Sequence, residues 1–264
     1  MVALTAEIIS TSSAGSSTTI PGIPLIKAGD DLTTIILDCA SAADICFRDG
    51  DVLVVAQKII SKAEGRVVHL DDVEPSDHAL AVAAQTGKDP RLVEIILSEA
   101  RAILRWRPSL IIVEHRLGWV CANAGVDRSN VAPPGQEVVL LLPEDPDHSA
   151  RQLRDRMRQI TGTDVAVIIT DTHGRPFRLG AVGVAIGVAG LTPLADLRGH
   201  LDLYGYELRT TMVAVADELA SAASLLMGQA DEGRPVVLVR GAPCLGRKGR
   251  ARDLQRAKEL DLFR

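Results

Sequence analysis

Two polar residues with metal-binding chemistry follow an apolar run in the second half of the chain. Residues 165–169 are all apolar and mostly β-branched, which predicts a strand buried on both faces. Gly174 and Pro176 predict a turn soon afterwards. Asp171 and Thr172 are therefore expected where the sheet ends, and their carboxylate and hydroxyl oxygens suit Mg²⁺ or Mn²⁺. The alternative is an aspartate that caps a turn or a helix.

A second polar cluster, residues 123–130, has the same relation to a predicted strand. It follows an apolar hairpin predicted at residues 110–121, with Gly118 at the turn. Asp127 supplies a carboxylate, and the neighbouring asparagine and serine side chains add oxygen ligands and hydrogen-bonding groups. Taken alone, this composition is also typical of an ordinary surface loop.

Basic side chains near these segments have the chemistry to bind phosphate. Arg175 and Arg178 follow the first cluster, and Lys62 and Arg66 follow a strand predicted at residues 52–57. They would be suitable anchors for a nucleotide polyphosphate. No G-x-x-x-x-G-K-[ST] motif occurs, so any nucleotide site is not a P-loop. The competing interpretation of residues 58–66 is a charged hairpin edge that discourages aggregation.

Composition limits the function classes. The 264 residues are 47% hydrophobic, enough for one large domain or two closely joined lobes. The low aromatic content (3%) and the formal charge of −5 argue against a nucleic-acid partner. Four cysteines without a C-x-x-C pair and six histidines without H-x-x-x-H spacing argue against a zinc site. His173 is the one histidine placed for catalysis, although an exposed turn residue is the simpler interpretation.

The N-terminal sequence indicates where in the cell the protein is located. It has neither the basic nor the continuous apolar region of a signal peptide, and no stretch approaches the length of a membrane span. We therefore expect a cytoplasmic protein without a membrane partner. Residues 1–20 are rich in serine and threonine and are expected to form a disordered extension, with the ordered domain, residues 21–264, beginning near Pro21.

Helix and strand signals alternate along the rest of the chain. A glycine-rich segment at residues 180–190 favours strands packed closely against another element rather than a phosphate-binding loop. Asp217 and Glu218 are expected to be solvated. Helices are predicted at residues 32–46, 76–86, 90–104, 149–161 and 210–227, with further strands at residues 138–142 and 236–240.

The chain resembles the coenzyme F420:L-glutamate ligase family in several motifs that occur in the family's order between residues 21 and 245. They are I-P-L-I, V-V-A-Q-K-I-I-S-K-A-E-G-R, N-A-G-V-D-R-S-N, L-L-P-E-D-P-D, V-I-I-T-D-T-H-G-R-P-F-R, D-L-Y-G-Y-E-L-R and V-A-D-E-L-A with L-L-M-G-Q. The resemblance implies a two-lobed α+β fold without a P-loop, a homodimer, and GTP-driven γ-glutamylation of F420-0 by L-glutamate. It also implies two divalent ions, Mg²⁺ or Mn²⁺, together with K⁺.

The resemblance also implies roles for individual residues. Metal ligands would be Asp127, Asp171, Thr172 and Gln229. Catalytic groups would be Asp127 and Asp171, to which the chemistry of the sequence adds Arg175 and Arg178. GTP contacts would be Ile23, Pro24, Leu25, Ile26, Gln57, Lys62, Asn130, Met227, Gly228, Gln229, Ala230, Asp231, Glu232, Gly233 and Arg234. The flavin-binding domain fused to this module in some relatives has no counterpart here, so we expect ligation without reduction of the cofactor.

The implied mechanism is activation of a carboxylate by phosphoryl transfer from GTP, followed by amide formation through an acyl phosphate. The chemistry alone assigns no general base, and His173 and Glu64 are the candidates. Three alternatives remain open at this point. They are a ligase of the same mechanism with another acceptor, a nucleotide-binding module without turnover, and a structural subunit of an assembly.

Overall fold

The computed structural model describes residues 15–133, 135–243, 246 and 248–262, and its fold is of the predicted α+β class. The strands are β1 (Ser16–Thr19), β2 (Val52–Ala56), β3 (Val67–His69), β4 (Ala100–Arg107), β5 (Leu110–His115), β6 (Val120–Ala122), β7 (Val138–Leu140), β8 (Ala166–Arg175), β9 (Arg178–Ala189), β10 (Ala195–Asp196), β11 (Met212–Val213) and β12 (Val236–Arg240). The helices are α1 (Leu32–Ala42), α2 (Gln57–Ala63), α3 (Asp77–Thr86), α4 (Pro90–Ser98), α5 (Pro146–Thr161) and α6 (Val215–Met227).

A five-stranded sheet with the order β1-β12-β2-β8-β9 forms the centre of the protein. Its β2 and β8 strands are parallel, and the other neighbouring strands are antiparallel. The last pair between β2 and β8 is Ala56 with Thr170. Asp171 is therefore the first residue of β8 that no longer pairs with β2. It lies at the end of the sheet where the chain leaves β2.

Helices cover both faces of this sheet because the strand residues are apolar in both orientations. Val167 and Ile169 of β8 pack into a core with α1, α2 and α5, whereas Ala166 and Ile168 pack against α6 on the opposite face. Strand burial on both faces is thus confirmed for residues 165–169. The packing of helices on both faces holds β8 in place and so fixes the direction of its C-terminal end.

A smaller lobe is built from α3, α4 and the antiparallel sheet β4-β5-β6. Its apolar core includes Ile96, Ile111 and Val113, which are all fully buried. The two strands of the β3-β7 sheet precede and follow the smaller lobe in sequence. Leu70 and Val139 belong to a further buried cluster beside this sheet. The predicted two-lobed arrangement is therefore observed in these two separate cores.

Glycines in β9 allow helices to approach the sheet closely on both faces. A Cβ atom on Gly183 would lie 2.6 Å from the carbonyl oxygen of Ala220 in α6. A Cβ atom on Gly187 would lie 2.3 Å from the carbonyl oxygen of Pro146 in α5. Close packing was the prediction for this segment, and it is confirmed, although residues 178–189 form one strand and not a strand pair.

The capping signals at Ser76, Gly87 and Gly162 were predicted correctly, whereas Ser149, the predicted cap of the following helix, lies inside α5. Ser76 caps α3 by accepting a hydrogen bond from the Ala79 amide at 3.2 Å, and Gly87 ends it with φ of +67°. Gly162 ends α5 in the same way with φ of +72°. The strand predicted at residues 236–240 is also confirmed as β12.

Other boundaries were wrong. The helix predicted at 90–104 ends at Ser98, because Ala100–Arg107, which follow the cap residue Glu99, form strand β4 against β5. The helix predicted at 210–227 begins at Val215, since Met212–Val213 pair with β10. α1 ends at Ala42 and not at residue 46. Asp44, two residues after the end of the helix, has a φ of +55°. α5 begins at Pro146 under an Asp145 cap, ahead of the expected start at residue 149.

Two further expectations about order and sheet ends need correction. Strand β1 contributes Ser16–Thr19 to the central sheet, so the ordered chain begins before Pro21; the first 14 residues of the extension lie outside the described residues. Asp171 and Thr172 lie within β8, because β8 continues to Arg175 as an antiparallel hairpin with β9. Among the described residues, no helix is long and apolar enough to cross a membrane.

Candidate active site

The loop at residues 127–130 is held against α2 by two lysines. Lys58 Nζ lies 2.7 Å from Asp127 Oδ2 and also donates to Ser129 Oγ at 2.7 Å. One helical turn later, Lys62 Nζ donates to the Asn130 carbonyl oxygen at 2.6 Å. Lys58 and Lys62 are four residues apart, so they share one face of α2. Both predicted clusters, around Lys62 and around Asp127, therefore meet in one place.

The charges in this contact shift the pKa values of its members. Burial acts to raise the pKa of Asp127, but hydrogen bonds and charge from Lys58, with the Ser129 amide and hydroxyl, outweigh it and lower the pKa. The pKa of Lys62 is lowered, first by burial and then by the positive charge of Lys58. Two ammonium groups side by side favour an anionic ligand.

A second set of contacts joins this loop to the end of β8 through residues 228–234. Asn130 Nδ2 donates to the Ala230 carbonyl oxygen at 2.7 Å. Gln229, the residue before Ala230, accepts a hydrogen bond at its Oε1 atom from Thr172 Oγ1 at 3.2 Å. The loop itself is closed by Glu232, whose carboxylate accepts from the Ala230 amide at 2.8 Å. A continuous series of contacts therefore runs from Asp127 to Thr172.

Asp171 faces a different set of neighbours from Thr172, because successive strand residues point to opposite faces. Its Oδ2 atom lies 3.1 Å from His173 Nε2. Burial, followed by the negative charge of Asp171, raises the pKa of the Cys121 thiol to about 12. Cys121 belongs to β6, so the smaller lobe also reaches the end of β8.

The remaining predicted nucleotide contacts lie around α2. Gln57 begins this helix, and its amide oxygen accepts from Ser61 Oγ at 2.8 Å. Gln57 Nε2 is buried and, within the described part of the chain, has no hydrogen-bond partner. The segment with Ile23, Pro24, Leu25 and Ile26 is fastened to the end of α2 by a hydrogen bond from the Gly29 amide to the Ala63 carbonyl at 2.9 Å. In that segment Ile26 is buried and Leu25 is exposed.

The two predicted catalytic arginines lie farther along the β8–β9 hairpin. Arg175 and Arg178 form the last pair of the hairpin and are both exposed. Arg175 Nη2 donates to the Leu179 carbonyl at 3.2 Å. No contact brings either arginine to Asp127 or Asp171 among the described residues. The structure therefore does not join them to the carboxylates.

Sequence reasoning missed two residues of this region. Lys58 is the direct partner of Asp127, and its spacing from Lys62 was the available signal. Asp217 was expected to be solvated, but its Oδ1 accepts from the Ala185 amide at 2.9 Å and burial raises its pKa. Glu218 is exposed, as expected.

The donor set at this site consists of oxygen atoms. Asp127 and Asp171 offer carboxylates, Thr172 a hydroxyl and Gln229 an amide oxygen, which are the ligand types of Mg²⁺ and Mn²⁺. No group of three or more His, Cys, Asp and Glu suited to a metal ion occurs in the described ranges. A metal here would need the hydroxyl and amide ligands, or oxygens of its substrates.

A mixed fold with carboxylates and lysines gathered at the end of a central sheet is compatible with the active site of an enzyme, but it does not identify the reaction. Comparison with known proteins is more specific. The sequence model of the F420-0:Gamma-glutamyl ligase family matches residues 22–241, so the chain belongs to this family and is a ligase.

Similar relatives come from several archaea, and each is named "Coenzyme F420:L-glutamate ligase". The protein of Methanothermobacter thermautotrophicus is 51% identical over 93% of this chain and 97% of its own length. That of Methanopyrus kandleri is 55% identical over 90% of this chain and 93% of its own length. That of Archaeoglobus fulgidus is 46% identical over 93% of this chain and 94% of its own length.

Proposed function

We propose that this protein uses GTP to attach L-glutamate to F420-0 through an acyl-phosphate intermediate, forming γ-linked F420 polyglutamates. Family membership supports the substrates. The observation that carries the nucleotide assignment is the bridge from Asn130 to Ala230, which joins the loop of Asp127 to the loop of Gln229. Residues named on independent grounds thereby come together at the end of the central sheet.

The nucleotide would lie beside α2. We expect Lys62 to bind a phosphate oxygen, because it donates to a carbonyl oxygen and forms no ion pair with a carboxylate among the described residues. The unpartnered amide of Gln57 is a donor suited to a base or ribose oxygen. GTP is the expected nucleotide, from the resemblance of residues 23–26 and 227–234 to the family's motifs.

Asp127, Asp171, Thr172 and Gln229 fit two divalent ions, because all four offer oxygen ligands. Such ions, when bound, would reduce the repulsion between an anionic acceptor and the polyphosphate. The Lys58 ammonium on Asp127 shows that this carboxylate accepts a cationic partner. The resemblance adds K⁺ as a third ion.

The proposed chemistry has two balanced steps. A carboxylate oxygen of the acceptor forms a bond to the γ-phosphorus of GTP, and the bond to the β-phosphate oxygen breaks to release GDP. The amine of L-glutamate then bonds to the acyl carbon, phosphate leaves, and the amine proton passes to a base. His173 lies beside Asp171. Glu64 is already hydrogen-bonded to Ser149, so it is the less suitable base.

The proposal includes a homodimer, as the resemblance implies. Two projecting segments support it, because they carry large apolar side chains that are almost fully exposed. These are the end of the β8–β9 hairpin and the connection from β10 to β11, with Phe177, Leu179, Leu203 and Tyr204.

One experiment tests the reaction. The purified protein is incubated with GTP, Mn²⁺, L-glutamate and F420-0, and the products are weighed by mass spectrometry. We expect F420-0 to gain the mass of one or more glutamyl residues with release of GDP and phosphate. Nucleotide binding without a new product would contradict ligation, and glutamylation of a different carboxylic acid alone would contradict the acceptor.

A further inference from the structure

Five arginines surround a surface cavity of about 250 Å³ that the predicted site does not include. The cavity lies between α5, the turn from β5 to β6, and the C-terminal segment. Its basic side chains are Arg101, Arg116, Arg151, Arg250 and Arg252. This is a local concentration of positive charge in a protein whose formal net charge is −5.

The acidic residues in the same wall are occupied by backbone donors. Asp145 Oδ1 accepts from the His148 amide at 2.9 Å. Asp147 Oδ1 accepts from the amides of Val188 and Ala251, both at 2.8 Å. These contacts hold the two carboxylates to the wall, and the five arginines outnumber them, so the wall of the cavity carries a net positive charge.

Two arginines in this wall have side chains available to a ligand. Arg116 is not one of them, because its Nε donates to Glu99 at 2.8 Å, its Nη1 donates to the Glu144 carbonyl at 2.9 Å, and its Nη2 is buried without a partner in the described part of the chain. Arg151 and Arg252 are exposed, and neither side chain makes a hydrogen bond or ion pair with a described residue. Free guanidinium groups bind carboxylate and phosphate in a two-pronged geometry.

A second cavity, of about 280 Å³, lies beside the arginine-lined cavity. The two cavities share Trp119, Ile186 and Gln255 in their walls. The second is also lined by His173, which contacts Asp171 at 3.1 Å. The two cavities are therefore neighbours between the proposed reaction centre and the arginine cluster, and we call them together the groove.

On the basis of the proposed function, we infer that this groove binds the γ-glutamyl tail of the growing product, with its α-carboxylates on the arginine cluster. A γ-linked glutamate keeps its α-carboxylate free, so each addition increases the negative charge by one. The reacting γ-carboxylate must lie at the Asp171 end. The residues added earlier then extend along the groove toward the arginines.

The test compares the double variant Arg151→Gln/Arg252→Gln with the wild-type full-length protein. The matched control is Arg158→Gln, an exposed arginine two turns along α5 that lines neither cavity. Titration calorimetry measures binding of F420-0 and of F420 carrying three γ-glutamates. Mass spectrometry measures product lengths at equal GTP consumption, and thermal unfolding verifies that each variant is folded.

We expect the double variant to bind the triglutamate form about tenfold more weakly, because charge-assisted hydrogen bonds are lost, and to make shorter products. Its affinity for F420-0 should fall by less than its affinity for the triglutamate form, since F420-0 carries none of the α-carboxylates of the tail. The control should match the wild type in both measurements. Equal weakening for both ligands, or unchanged affinity and product length, would overturn the tail assignment.

Two outcomes separate this inference from the proposed function and from its main competitor. If the wild type forms no product from F420-0, GTP and glutamate, the proposed ligation fails, whereas the calorimetric comparison still reports on the groove. The competitor is a tail site at the hairpin end, for which Arg178→Ala would shorten the products. If Arg178→Ala alone shortens them and the double variant does not, the arginine cluster is not the tail site.

Discussion

Asp127 and Asp171 are the single residues on which the proposed chemistry depends most. Both side chains are partly buried and lie outside the apolar cores, so their loss should affect the reaction more than the fold. We expect Asp127→Ala and Asp171→Ala each to lower kcat/KM by about a hundredfold or more, on the order of 3 kcal/mol in transition-state stabilisation. Steady-state ligation assays with GTP and F420-0 measure this.

Asp72→Ala provides the matched control, because Asp72 is an exposed aspartate in a short 3-10 helix away from this site. Its kcat/KM should equal that of the wild type. Near-normal turnover by either site variant would show that its carboxylate does not bind a catalytic ion. A lower melting temperature with unchanged specific activity would indicate a purely structural role.

Lys62 offers a test of nucleotide binding. Lys62→Ala should raise the KM for GTP, because it removes a positive charge that is expected to contact phosphate in both ground and transition states. Lys62→Arg keeps the charge and should recover part of the affinity. GTP should also support ligation far better than ATP. An unchanged KM in Lys62→Ala, or equal efficiency with ATP, would contradict the nucleotide assignment.

Among the elements, the contact between β9 and α6 depends on a glycine. Gly183→Ala should destabilise the protein by about 1–3 kcal/mol, because the added methyl group would meet the Ala220 carbonyl oxygen. Gly174→Ala is the control, since a Cβ atom there has no neighbour within 4 Å. Urea unfolding followed by circular dichroism measures both. Equal stability of the two variants would show that α6 can move away from the sheet.

Elements whose ends are set by local chemistry were predictable from sequence, and those set by distant partners were not. Ser76 acts through its own side chain, Gly87 and Gly162 act through their own backbone geometry, and the boundaries they mark are correct. Residues 100–107 contain good helix formers, yet they form β4 because β5 pairs with them. α2 has no side-chain cap and only seven residues, so it carried no helix signal.

The same distinction explains which features of the site could be predicted from the sequence. Carboxylates placed after apolar strands indicated Asp127 and Asp171 from the sequence alone. The pairing of Asp127 with Lys58 depends on the packing of α2 against the loop, so residue types could not reveal it. The cavity beside His173 arises from four segments far apart in sequence, which meet only in the folded chain.

For the protein as a unit, Glu99 links the smaller lobe to the rest. Its carboxylate contacts Arg66 Nη2 at 2.9 Å and Arg116 Nε at 2.8 Å. His115 Nδ1 accepts from the Leu117 amide, so its Nε2 carries the proton and faces Glu99 at 3.5 Å. Burial acts to raise the pKa of Glu99, but His115 and the two arginines outweigh it and bring the pKa to about 2.

This pKa predicts how stability depends on pH. The carboxylate of Glu99 is charged in the folded state down to about pH 2, whereas its ordinary pKa is 4.5. Its contribution, on the order of 3 kcal/mol, is therefore complete above pH 4.5 and is lost as the pH falls toward 2. Urea unfolding of the wild type and Glu99→Gln between pH 3 and 7 measures it. The difference between them should shrink at low pH, and a constant difference would contradict this account.

The order β1-β12-β2 in the central sheet has a consequence for synthesis of the protein. Strand β12, residues 236–240, lies between β1 and β2 in this sheet, and both of those strands are synthesised early. A ribosome adds about 5–20 residues per second, so on the order of ten seconds pass between the synthesis of β1 and the synthesis of its partner β12. During that time its edge is open to other nascent chains, which makes slow translation of the second half a hazard for this protein.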